Sequence, residues 1–79
     1  MNAGLLLTDL KIGQAAVITD VRGEDDLAMR LMEMGLLPGV RIVYHGAAPL
    51  GDPLEVEVGP ARLGLRRSEA ARLALQRES

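Results

Sequence analysis

Few side chains in this sequence are suited to covalent or acid–base chemistry. There is one histidine, His45, two serines, Ser68 and Ser79, and two close pairs of acids, Asp25-Asp26 and Glu55/Glu57. A hydroxyl nucleophile needs a base within hydrogen-bond reach and a third group to orient that base. Ser68 reads instead as the cap of a short helical turn, and Ser79 is the last residue. Both acid pairs fall where solvated faces are expected, so the sequence points away from an enzyme. Gly35 and Gly39 flank no lysine and open no helix, which removes a phosphate-cradling loop. With no cysteine, thiol catalysis, zinc ribbons, iron–sulfur clusters and disulfides are excluded as well.

The metal-ligating inventory is equally thin. Non-haem iron(II) oxygenase sites use two histidines and a carboxylate, and one histidine does not supply that. His45 with Asp52, Glu55 or Glu57 forms at most a weak ligand set for a divalent cation; the competing reading is a surface histidine beside a loop. No cofactor is required by any of these residues.

Binding, rather than catalysis, is the better-supplied chemistry. Glu24 to Met34 is the one helical window, with Leu27, Leu31 and Met34 at i, i+4 and i+7 expected on its core side. Met29 and Met32 lie off that stripe. Methionine is flexible and polarizable and recurs on adaptable binding surfaces. Together with Leu36, Leu37 and Pro38 in the exit loop, and Leu50 in the loop Ala47–Pro53, they are the candidate partner-binding residues. The alternative is that the helix lies across the mouth of a small barrel and buries them.

These residues are held by short elements. β-branched Val17, Ile18, Thr19 and Val21 mark a strand over Ala15–Val21. Glu24, Asp25 and Asp26 favour a helix start, and Gly35 favours its stop, with Leu36 folding back on the last turn. Leu37-Pro38-Gly39-Val40 has the proline and glycine of a type II turn. Val40–His45 alternates, and Leu54, Val56 and Val58 alternate with Glu55 and Glu57 as a strand with one wet face. Gly59-Pro60 turns into Leu63-Gly64-Leu65, and Leu73 with Leu75 closes the series. Four or five short strands with one helix fit a small mainly β barrel, 1–79 as a single domain with its core at about 10–75.

Composition agrees with one small domain. The 79 residues are 48% hydrophobic and 25% charged, with one tyrosine, Tyr44, and no phenylalanine or tryptophan. Single-stranded nucleic acids are usually gripped by stacking aromatics, and the formal charge of −2 opposes phosphate binding; no nucleic-acid partner is expected. Charge is uneven, −5 over residues 1–59 and +3 over 60–79, where Arg62, Arg66, Arg67, Arg72 and Arg77 either meet an acidic partner face, anionic lipid or nucleic acid, or are solvated residues that balance the acidic half. No run approaches the ~20 apolar residues that span a bilayer, and Leu5-Leu6-Leu7 is too short for a signal-peptide core. A soluble, cytoplasmic protein without direct membrane insertion is expected, and an exposed Met/Leu patch would also permit homo-oligomers.

Three segments, Met34-Gly-Leu-Leu-Pro-Gly39, Ala48-Pro-Leu-Gly-Asp-Pro53 and Leu63-Gly-Leu-Arg-Arg67 followed by Glu69-Ala70, resemble in order and spacing the ferrous iron transport protein A (FeoA) family, from about Leu10 to Leu75. The resemblance implies an SH3-like β-barrel and a cytoplasmic, non-enzymatic accessory role in bacterial ferrous iron uptake. It implies as partner the FeoB membrane transporter with its G domain, at the inner face of the membrane. The barrel also resembles the C-terminal module of iron-dependent repressors, so the alternative is a metal-responsive regulatory module. Tyr44 alone does not build the aromatic groove of a proline-reading SH3 domain.

Overall fold

The computed structural model describes residues 5–78; Met1–Gly4 and Ser79, the outermost residues of the expected 1–79 domain, lie outside them. Five strands form one antiparallel sheet: β1 (Ala15–Val21), β2 (Arg41–Ala47), β3 (Leu54–Val58), β4 (Ala61–Leu65) and β5 (Leu73–Arg77). Their spatial order is β4-β3-β2-β1-β5, so the first and last strands are neighbours, with Ile18 opposite Leu75. Among the described residues β4 and β5 remain the two edges, and the ladder is not closed by hydrogen bonds between them. The helical turn α2 (Arg67–Ala70) links these edges along the chain and packs on β4.

Period-two patterning places the core. Ala16 and Ile18 from β1, Ile42 and Tyr44 from β2, Leu54 and Val56 from β3, and Leu73 and Leu75 from β5 all turn inward and are buried. Leu7 is also buried, in a 3-10 turn over Leu7–Asp9, so the core begins a few residues before the expected Leu10. Leu5 extends the sheet edge as a single antiparallel bridge to Leu75.

The helix α1 runs Asp26–Glu33, shorter than expected at its start because Asp25 serves as its cap. The Asp25 carboxylate accepts from the Ala28 N–H at 3.4 Å. At the other end Gly35 adopts φ +99°, a left-handed conformation open to glycine at no steric cost. The Leu36 N–H then donates to the Leu31 carbonyl at 3.2 Å and the Gly35 N–H to that of Met32 at 3.0 Å. Those two bonds are a Schellman stop. The Val40 N–H donates to the Leu37 carbonyl at 3.1 Å, closing the turn through Pro38 and Gly39 that launches β2.

The start of α2 corrects the sequence expectation. Ser68 lies inside this helix and does not cap it; Arg66 holds the cap position. The Arg66 N–H donates to Glu69 Oε1 at 2.8 Å, so the closing carboxylate comes from Glu69, three residues on.

Candidate functional site

The inner face of α1 is set by Ala28 and Leu31, both fully buried, with Leu27 packed partly against the core. Met34, expected on that side, is 37% exposed. Ala28, outside the expected stripe, is fully buried instead. Met29 is 55% and Leu37 44% exposed, and Pro38 is exposed beside Leu37. Met32 is half-buried, its side chain lying against the core.

Leu36 requires a correction as a partner-binding residue: it is fully buried. The Schellman geometry that stops α1 turns Leu36 back onto the helix's last turn. Leu37, the next residue, then points out. What remains at the surface of α1 and its exit is Met29, Met34, Leu37 and Pro38, an apolar set interspersed with Arg30 and Glu33.

Leu50 is 97% exposed but belongs to a different neighbourhood. It sits in the loop between β2 and β3, closed by the Ala48 N–H donating to the Pro53 carbonyl at 2.9 Å and the Gly51 N–H to that of Ala48 at 2.7 Å. Arg67 of α2 holds this loop twice. Its Nε donates to the Gly51 carbonyl at 2.7 Å, and its backbone N–H to Asp52 Oδ1 at 3.0 Å.

The four residues weighed as metal ligands do not converge. A β-bulge between Tyr44 and Gly46 leaves His45 as the extra residue of β2, and its Nε2 hydrogen-bonds to Glu57 Oε1 at 2.8 Å. Glu55 stands opposite Gly46 and Gly64, and Asp52 is engaged by Arg67. Among the described residues no group of three or more His, Cys, Asp or Glu side chains is placed to hold a metal ion. Two donors already bonded to each other do not fit a resident iron or zinc centre.

An ion pair that periodicity did not suggest lies beside α1. Arg72, in the turn before β5, contacts Asp25 with both arms of its guanidinium and also donates to the Arg22 carbonyl at 3.0 Å. Arg22 in turn donates from Nη1 to the Ala71 carbonyl at 3.1 Å. The start of the helix and the start of the last strand are thereby tied together. No helix here is long and apolar enough to cross a membrane, among the described residues.

Comparison with known proteins places this arrangement. A model of the FeoA domain matches residues 5–77. A fusion of Fe(2+) transport protein A with the Fe(2+) transporter FeoB from Porphyromonas gingivalis is 34% identical over 70 residues, covering 89% of this chain; the chain spans 8% of that protein's length. Among solved structures, a FeoA-like protein from Clostridium acetobutylicum superimposes with a TM-score of 0.87 at 28% identity, covering 100% of this chain and 92% of its own. FeoA of Stenotrophomonas maltophilia in complex with zinc, an SH3 domain protein, gives a TM-score of 0.73 at 34% identity, covering 91% of this chain and 89% of its own. The fold is therefore SH3-like and mainly β, with short helices.

Proposed function

This chain belongs to the FeoA domain family, whose members are non-enzymatic accessory proteins, and from that premise we propose that it serves ferrous iron uptake by docking on a FeoB-type transporter at the cytoplasmic face of the membrane. The observation that carries this reading is the Porphyromonas gingivalis relative, in which the two transport proteins are one polypeptide. A tether keeps two units at an effective concentration in the ~mM range, which suits a domain whose role is exercised on its neighbour.

The docking surface in this reading is the exposed end of α1 with the turn after it: Met29, Leu37 and Pro38, flanked by Met34 and the outer edge of Met32. Flexible methionines beside a rigid proline turn give an adaptable apolar patch on a fixed frame. Arg30 and Glu33 between them supply polar register. The cytoplasmic G domain of the transporter is the part of the partner such a soluble module reaches.

The test is retention of purified FeoB-type transporter by the immobilised protein. Met29→Glu and Leu37→Glu change exposed positions and are expected to keep the wild-type circular dichroism and melting curve while losing retention. Full retention by both folded variants would refute the α1 patch, and no retention by the wild type would refute the docking role. The metal-responsive reading is weaker, because among the described residues no group of three or more His, Cys, Asp or Glu side chains is placed to hold a metal ion, and His45 is already hydrogen-bonded to Glu57.

A further inference from the structure

The two ends of the α1 patch are held by different means. At the exit, the turn through Leu37 and Pro38 is fixed by backbone alone. The Gly39 N–H donates to the Ile18 carbonyl at 2.7 Å, and the Ile18 N–H to that of Val40 at 2.9 Å, which ties the turn to β1.

At the entrance a side chain carries the load. The Arg22 N–H donates to the Arg72 carbonyl at 2.7 Å, and the Arg72 guanidinium spans from the Arg22 carbonyl to both carboxylate oxygens of Asp25. Two parallel bonds fix the angle between a guanidinium and a carboxylate as well as their separation. Asp25 passes that constraint on, because its carbonyl accepts from the Met29 N–H at 3.2 Å, the first helical bond of α1.

The path of Arg72 is kept open by a missing side chain. A Cβ on Gly23 would overlap Arg72 Nη1 and lie 3.1 Å from Asp25 Oδ1. A glycine lets the guanidinium lie this close to the chain between β1 and α1. Neither Arg72 nor Asp25 belongs to the hydrophobic core; what they set is the direction in which α1 leaves β1. Direction matters for a patch built from both ends of a helix. Met29 stands one turn beyond Asp25, whereas Leu37 and Pro38 stand on the exit turn. A partner that reads both needs their relative placement fixed, and fixing it before contact removes an ordering cost from binding.

We propose that Arg72 is the positioning residue of the docking surface: it passes over Gly23 to Asp25 and so holds the Met29 half of the patch in register with the Leu37–Pro38 half. The inference rests on the α1 docking reading above and adds to it a residue outside the patch, in the turn before β5, that governs affinity through Asp25 rather than by its own contact.

The affinity of a purified FeoB-type transporter for the immobilised protein, measured as double-mutant cycles, tests this. Arg72→Gln and Met29→Ala are each expected to weaken binding about tenfold, the scale of ordering one long side chain. The two together should be no weaker than Met29→Ala alone, since a Met29 out of register and an absent one are lost alike. Combined with Leu37→Ala, the Arg72→Gln loss should instead multiply. Circular dichroism at the assay temperature checks that each variant is folded. Arg72→Lys, which keeps the charge and does not span both oxygens, carries the same cycles if Arg72→Gln does not fold. Losses that multiply at Met29, an Arg72 loss absorbed equally at Leu37, or unchanged affinity without Arg72 would overturn the positioning role and leave docking standing. No binding by the wild type, or full binding by both Met29→Ala and Leu37→Ala, would remove the docking reading and this inference with it.

Discussion

Arg72 grips Asp25 in a two-pronged ion pair, Nη1 to Oδ1 at 2.7 Å and Nη2 to Oδ2 at 2.8 Å. The residues are 47 positions apart, and Asp25 is also the cap of α1. One carboxylate thus ends the helix and fastens it to the turn before β5. Paired, planar geometry of this kind is the stronger form of charge-assisted hydrogen bond.

This pair makes stability depend on acid in a defined direction. The hydrogen bonds from Arg72, aided by the Ala28 N–H, hold the Asp25 carboxyl well below the usual carboxylate range. The folded state therefore favours the ionised form. That contribution is complete above the unfolded carboxyl's value of about 4 and is lost as pH falls through the lower folded value. Asp25→Asn is expected to melt several degrees lower than wild type at neutral pH. The gap between their melting temperatures should then narrow steadily below about pH 4. A gap that stays constant into strong acid would show that the pair does not couple to folding.

Leu36 and Leu37 are adjacent in sequence and opposite in role. Leu36 is fully buried, and Leu36→Ala should cost about 3 kcal/mol, the usual range for emptying a leucine site in a core. Leu37→Ala should cost within about 0.5 kcal/mol, as at other exposed positions. Urea unfolding of the two variants measures both; equal costs would place Leu37 in the core.

At Gly35 the expected effect is purely conformational. An added Cβ would meet no atom within 4 Å, yet φ is +99°. Gly35→Ala should therefore destabilise by about 1–2 kcal/mol through the left-handed backbone alone. D-alanine at the same position, introduced by chemical synthesis of this 79-residue chain, should restore stability or exceed it, since it prefers that conformation and also restricts the unfolded state. Equal loss with both enantiomers would mean that space, not handedness, reserves the site for glycine.

Local chemistry was the readable part of this sequence. β1 and β3 appear where their β-branched and alternating residues put them, Ala15–Val21 and Leu54–Val58. The stop at Gly35 and the turn at Pro38-Gly39 follow from residues that act within a few positions of themselves. What depended on distance was not readable. A helical wheel ranks Met34 above Ala28 for the core, but packing against the sheet selects Ala28. Ser68 is a fair cap by type, yet the capping carboxylate is that of Glu69. His45, Asp52, Glu55 and Glu57 look like a loose cluster along the chain. The bulge at His45 commits it to Glu57, and Arg67 engages Asp52. The Arg72–Asp25 pair has no sequence period, because it joins segments that meet only in the folded sheet.

The pairing of the first strand with the last has an architectural consequence. Leu5 bridges to Leu75, and Ala16 lies opposite Arg77, so the polypeptide enters and leaves the sheet at one place. Chain joined ahead of Leu5 or behind Arg77 would therefore meet the sheet at the same strand, β5. The described ends of the chain thus share one strand, β5, as their anchorage in the sheet.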